Sequence, residues 1–226
     1  MAKRWLPVVA LGGAALVCVL LGNWQLRRLE EKRAWIEMMQ GRLEQPPAEL
    51  ERALEAPDAF AFRRVRARGQ WVTGQTILLR HRGAAPGPRL VTPLRLGGER
   101  SLVLVDRGFV PPGIADGFVR GESPGQTAMV EGVLLRLTEI PLAAPPGERR
   151  LLWNRLHPAA LEHQLGEPME RVLLVRTPDG SGDYPRGDTP RPLSRVNHLY
   201  YAITWYSSAL VAAVVGIGLS RRRRRL

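Results

Sequence analysis

LYYAITWYSSALVAAVVGIGL, residues 199–219, runs twenty-one positions without a charge and is closed by five arginines, Arg221–Arg225. A hydrocarbon core of roughly 30 Å needs about 20 apolar residues in a helix. The core helix of a soluble domain seldom runs so far with no charge on any face. The stretch therefore reads as a transmembrane helix. At the other end of the chain, Trp5–Gly22 is also free of charge, shorter, and carries Pro7 near its start, where a helix tolerates proline. It ends Leu20-Leu21-Gly22-Asn23-Trp24 with no small-x-small cleavage site, so it reads as an anchor and not as a cleaved signal.

Lys3 and Arg4 precede the first span and the arginine run follows the second. This bias predicts both termini in the cytoplasm and everything between the spans on the far side. Arg27, Arg28, Lys32 and Arg33 oppose it, but long loops translocate largely regardless of charge. The arginine run could be a nucleic-acid tail. Directly after a span it reads better as a stop-transfer and headgroup anchor. The chain carries +12 overall. Setting aside the seven flanking basic residues leaves about +5 between the spans, too mild to argue for nucleic acid. Arginine far outnumbers lysine, which suggests a GC-rich bacterial genome and a bacterial inner membrane. The lone cysteine, Cys18, lies in the first span. An intrachain disulfide, a Cys-x-x-Cys redox pair and a Cys-x-x-Cys-His haem attachment are all excluded.

Between the spans, Trp24–Gln40 predicts a charged helix continuing outward. Gly41–Asp58 reads as a linker around a short Glu-rich helix. Then come β-prone runs: 63–71, 75–81, 89–96, 101–107, 129–137 and 170–176, with Gly97-Gly98 as a hairpin signal between two of them. Pro158–Leu165 predicts one short helix, stopped by Gly166 and Pro168. Residues 177–198 read as a tether. The fold expected is a membrane protein: a two-helix transmembrane hairpin carrying one mostly-β extracytoplasmic domain, an antiparallel barrel or sandwich with few short helices. Its divisions are 1–4 cytoplasmic, 5–22 first span, 23–58 connector, 59–176 β-rich domain, 177–198 tether, 199–219 second span and 220–226 basic tail.

Small residues recur every four positions in both spans: Ala10, Ala14, Cys18 and Gly22, and Ser208, Ala212, Gly216 and Ser220. Such stripes let membrane helices pack closely, so a packed hairpin is expected. On the second helix, His198, Tyr201, Trp205, Ala212 and Gly216 share a broad face. Packed on the first span, that face brings His198 near Gly22, Trp24 and Gln25.

His81, His157 and His163 read as ordinary surface or hydrogen-bonding residues. His198, at a membrane boundary, is a functional candidate by position, and neutral imidazole is a common axial ligand of haem iron. The competing reading makes His198, Tyr200, Tyr201, Trp205 and Tyr206 an interfacial belt. Asp106-Arg107-Gly108 ends an apolar run. It offers either an Asp–Arg pair that fixes a turn or a binding role for Arg107 toward a propionate or a partner's carboxylate. Paired carboxylates in a clear motif, a cysteine nucleophile outside the membrane and a metal cluster are all lacking, so an enzyme is not expected.

Several blocks resemble the Surfeit locus protein 1 family of cytochrome c oxidase assembly factors. Leu21-Gly22-Asn23-Trp24-Gln25-Leu26-Arg27-Arg28, with Lys32 beyond, is similar to the family's Gly-x-Trp-Gln signature at the end of the first span. Val91-Thr92-Pro93-Leu94 and Leu104-Val105-Asp106-Arg107-Gly108-Phe109-Val110-Pro111 resemble its central hairpin. Residues 131–139 resemble the next block, and Trp153-Asn154-Arg155-Leu156 a weaker later one. Asn197-His198-Leu199-Tyr200-Tyr201-Ala202-Ile203-Thr204-Trp205-Tyr206 resembles the opening of its second span. Val196 and Tyr200 stand where the family often has asparagine and glutamine, and the tether lacks the usual glycine-rich wording.

The resemblance implies a role in building the haem-bearing subunit of a haem-copper oxidase. Haem a would be the transient cofactor, His198 the iron ligand, and Trp205, Tyr201, Trp24 and Gln25 neighbours of the site. Asp106 and Arg107 would be candidate partner contacts. Oxidase subunit I, haem a synthase and the lipid bilayer would be partners, and nucleic acid would not. A cofactor-free chaperone that holds an oxidase intermediate is the alternative.

Overall fold

The computed structural model describes residues 2–82, 86–97, 102–120, 125–139, 149–190 and 197–224. In chain order the elements are α1 (Ala2–Glu44), β1 (Ala48–Glu49), α2 (Leu50–Glu55), α3 (Pro57–Phe60), β2 (Arg64–Trp71), β3 (Ile77–Arg82), β4 (Pro86–Leu96), β5 (Leu102–Phe109), α4 (Pro112–Arg120), β6 (Thr127–Arg136), β7 (Leu152–Trp153), α5 (Pro158–Leu165), β8 (Met169–Arg176) and α6 (His198–Arg224). They divide into two compact units, Met1–Met38 with Pro192–Leu226, and Met39–Arg191.

The second unit is a closed, mostly antiparallel barrel. β2 pairs with β6, β6 with β8, β8 with β5, β5 with β4, and β4 again with β2, so five strands make the ring. The β5–β8 contact is parallel, as are the short pairings of β1 on β2 and β7 on β3. The period of two along β2 explains its part. Val65, Ala67 and Trp71 point inward, and Arg64, Arg66 and Arg68 point out. Closure falls at Gly69, which pairs with Ala128 on β6 and with Leu96 on β4. A Cβ there would run into the Arg95 carbonyl, so only glycine lets the two strands meet this closely.

One apolar cluster fills the barrel, with Val65, Ala67, Leu94, Leu96, Val103, Val105, Val130, Leu134, Val172 and Leu174, and Leu50 and Ala53 of α2 join it. A second lies outside, where α5 and Trp153 cover Leu102, Leu104, Leu173 and Val175. β5 is thus buried on both faces, which is why Leu102-Val103-Leu104-Val105 is an unbroken apolar run. α5 spans the residues expected and ends on Gly166 in the left-handed conformation, φ 73°, whose N–H bonds Glu162 O.

Three parts of this unit differ from the sequence reading. First, α4 has no counterpart among the expected elements; Pro112 opens it, a position where its missing N–H costs nothing. Ala115, Phe118 and Val119 then face Leu78, Leu90 and Val110. Second, the expected linker 41–58 does contain its short Glu-rich helix, α2, but it also holds the end of α1, β1 and the start of α3. Third, much of the expected tether is bonded to the barrel. Phe109 and Arg186 exchange backbone hydrogen bonds at 2.9 and 3.0 Å, and Asp188 N–H donates to Arg176 O at 3.0 Å. The compact unit accordingly runs Met39–Arg191, wider than 59–176 on both sides. Gly98 of the expected hairpin turn, Ser101, the end of the tether and Arg225 lie outside the described residues. The side chains of Lys3, Arg4 and His81 lie outside the described side chains.

The first unit is a helical hairpin. α1 is continuous for 43 residues, about 64 Å at 1.5 Å per residue and so roughly twice the depth of a bilayer core. α1 and α6 are both long and apolar enough to cross a membrane. The less exposed positions include Val8, Leu11, Ala15, Cys18, Gly22, Gln25 and Leu29 on α1, and His198, Ala202, Trp205, Ala209, Ala212, Gly216 and Leu219 on α6. Steps of three and four alternate, the spacing of a left-handed helix pair. The contacts run antiparallel: Gln25 meets His198, Gly22 meets Tyr206, and Leu11 meets Gly216.

This corrects the stripes expected from sequence. Ala10, Ala14 and Ser208 of the stripes are exposed; Cys18, Gly22, Ala212 and Gly216 do lie on the seam, joined by the buried Ala202 and Ala209. Residues spaced strictly by four drift about 40° per step around a helix of 3.6 residues per turn. A seam that alternates three and four stays under its partner.

Candidate functional site

The hairpin's polar contacts gather at one end. Asn197 starts α6: its Oδ1 accepts the Tyr200 N–H at 3.2 Å, which satisfies one of the unpaired donors of the first turn. His198 is the first residue of the helix. Its Nδ1 lies 2.8 Å from Oε1 of Gln25 on α1, and the contact is partly buried. An amide oxygen can only accept, so Nδ1 is the donor in this contact, and in the neutral ring the lone pair is then on Nε2. Among the described residues Nε2 has no partner.

Deeper in the hairpin, a second polar pair ties the helices. The Tyr206 hydroxyl donates to Asn23 Oδ1 at 2.7 Å. The Tyr206 ring lies against Gly22, where a Cβ would sit 2.9 Å from two ring carbons. Neither Asn23 nor Tyr206 stood among the expected site residues, although both lie inside the quoted signature blocks. Neither lies on the alternating seam; they flank its positions Gly22 and Trp205.

Of the other expected site residues, Trp205 is half-buried and shares the seam face with His198. Tyr201 is exposed on the flank and packs edge-on to Tyr200 with centroids 6.0 Å apart. Trp24 is exposed, with the Arg28 guanidinium 6.0 Å from its ring. The hairpin also carries a groove of about 590 Å³ lined by Leu11, Ile203, Thr204, Ser208, Val211 and Ala212. It lies on the deeper part of α6 and does not include His198.

Asp106 and Arg107, on the barrel, are separated by the fold. Asp106 is buried, and its Oδ2 accepts from Arg89 Nε at 2.6 Å, while Oδ1 accepts the Gly108 N–H at 3.0 Å. Arg107 is the extra residue of a bulge, since Val91 pairs with Asp106 and Leu90 with Gly108. Its guanidinium stacks over Trp71 at 4.8 Å. An Asp–Arg pair does sit at this turn: Asp106 with Arg89, across the ladder. Among the described residues no group of three or more His, Cys, Asp or Glu could hold a metal ion.

Fold and site together define a class: a membrane hairpin bearing a five-stranded barrel, with a histidine oriented at the point where the second helix begins. A model of the SURF1 family matches residues 13–210, and the chain belongs to that family. It is 27% identical to a SURF1-like protein of Monosiga brevicollis, over 96% of this chain and 85% of that one. It is 26% identical to a SURF1-like protein of Rickettsia conorii, over 91% and 88%. It is also 26% identical to Surfeit locus protein 1 of Xenopus tropicalis, over 82% and 66%.

Proposed function

We propose that this chain is an assembly factor for a haem-copper terminal oxidase, holding haem a transiently and helping its insertion into subunit I. One observation carries the haem reading. The His198 ring is held through Nδ1 by Gln25, which leaves Nε2 as the available donor. Metal-binding histidines are typically anchored in this way through their other nitrogen, and imidazole suits haem iron. Exposed Trp24 and Tyr201 and half-buried Trp205 supply apolar surface for a flat macrocycle. The remaining context follows from the family and the charge bias. The hairpin sits in a bacterial inner membrane with both ends cytoplasmic. The barrel lies in the periplasm, and subunit I and haem a synthase are the partners. The protein acts by binding and not by catalysis.

The test is spectroscopic. The full chain is co-expressed with a haem a pathway, purified in detergent, and its oxidised and reduced spectra are compared with those of His198→Ala. Near-stoichiometric haem a in the wild type, lost in the variant, supports the reading. A colourless wild-type protein on which oxidase assembly still depends would sink it and favour a cofactor-free chaperone.

A further inference from the structure

We infer that Gln25 is a positioning residue that orients the His198 imidazole and limits how firmly that ring holds a metal; this rests on the reading of His198 as the haem ligand. The first part follows from geometry. His198 stands at the first position of α6 and Gln25 on the facing helix. An imidazole has two tautomers and a freely turning ring. A single bond from Nδ1 to an acceptor on α1 selects one tautomer and fixes the ring plane. The Gln25 atom at Nδ1 is Oε1, an acceptor, so in the neutral ring this contact places the proton on Nδ1.

The second part follows from the chemistry of the acceptor. A carboxylate in place of Gln25 would draw the Nδ1 proton strongly, give the ring imidazolate character, and strengthen its donation to a metal. A neutral amide does this only weakly. A protein that gives its cargo up gains from a ligand that is well aimed yet a modest donor. Gln25 provides the aim without the charge. Glutamate is nearly isosteric at this position and would supply both. Leucine would supply neither.

Three variants of the full chain in detergent separate these effects: Gln25→Glu, Gln25→Leu and His198→Ala. In protein purified without haem, ¹⁵N NMR of histidine-labelled chains reads the tautomer directly, with His198→Ala assigning the signal. The wild type is expected as the Nδ1–H tautomer and Gln25→Leu as a mixture or the Nε2–H form. Wild-type Nε2–H, or a Gln25→Leu spectrum unchanged from wild type, overturns the positioning role whatever happens with haem.

In haem-loaded protein, transfer to an excess of apo-globin reads retention. Gln25→Leu is expected to bind haem about 10–100-fold more weakly. Gln25→Glu is expected to release it more slowly than wild type and to show a lower reduction potential. If His198→Ala loses haem but both Gln25 variants match the wild type, the Gln25 inference fails and the ligand reading stands. If His198→Ala holds haem as well as wild type, the ligand reading itself fails, and the NMR result alone judges the positioning.

Discussion

Asp106 is bonded to Arg89, a residue on the neighbouring strand, with Nε donating to Oδ2 at 2.6 Å and both side chains almost fully buried. Removing Arg89 leaves Asp106 charged and buried, and removing Asp106 leaves Arg89 with only the Asp188 carboxylate at 3.6 Å. Asp106→Ala and Arg89→Ala are each expected to lower stability by about 3–5 kcal/mol, read as a drop in the denaturant midpoint of the full chain in detergent. Asp106→Asn should cost less, because an amide oxygen can still accept the Gly108 N–H. A midpoint unmoved in Asp106→Ala would show that the pair is dispensable to the fold.

Gly108 has φ +119°, and a Cβ on it would collide with the Arg186 carbonyl. This is the position where residues 177–188 meet the barrel through the Phe109–Arg186 pair. Gly108→Ala carries backbone strain of about 1–3 kcal/mol and forces Arg186 away. Faster hydrogen exchange at the Phe109 and Arg186 amides is expected, with β6 and β8 unchanged. Exchange at wild-type rates at both amides would contradict this account of the Asp106-Arg107-Gly108 motif.

What the sequence made legible, and what it did not, follows the range of the forces involved. The spans were readable because residues 199–219 have no charge at all. The strands were readable because Val65, Ala67 and Trp71 alternate with arginines. α5 was readable because Pro158 and Gly166 mark its ends locally. Pairings between distant residues were hidden. Nothing near Asp106 points to Arg89, and nothing in 177–188 announces its bonds to Phe109 and Arg176. α4 was not among the expected elements, and its start is marked only by Pro112. Helix-face arithmetic placed His198 near Gln25, yet the bond depends on the alternating seam, and the four-residue stripes pointed to a slightly different face. Asn23 and Tyr206 flank the seam, and their bond depends on how closely the two helices approach at Gly22.

Glu167 and Arg95 form a two-pronged pair, with both bonds at 2.7 Å, just ahead of β8. The hydrogen bond from Arg95 holds the Glu167 carboxyl below its ordinary value of 4.5, against a smaller opposing effect of burial. A carboxylate whose value is depressed on folding adds stability above its unfolded value, and that stability is lost as pH falls through the folded one. Both side chains are over a third exposed, so the contribution is within about 1 kcal/mol. Glu167→Gln should therefore be slightly less stable than wild type at neutral pH. The two should converge on the acid side of 4.5. A constant offset down to strongly acid pH would mean that the pair's charge is not its source.

Gly22 and Tyr206 set the spacing of the hairpin at the level of its second polar pair. With a Cβ 2.9 Å from the ring, Gly22→Leu must push α6 outward. That shift would break the Tyr206–Asn23 bond and loosen the Gln25–His198 bond one helical turn away. Tyr206→Phe keeps the ring and loses only the hydroxyl bond, worth about 0.6 kcal/mol for an average contact between membrane helices. The two variants therefore separate packing from hydrogen bonding. Leu11 and Gly216 touch across the deeper part of the hairpin, so Leu11→Cys with Gly216→Cys, in a Cys18→Ala background, reports the helix contact by disulfide yield. The yield is expected to stay near the parent level with Tyr206→Phe and to fall several-fold with Gly22→Leu. Equal yields from both would mean that α6 accommodates a side chain at Gly22 without moving, and that the glycine is not what seats Tyr206.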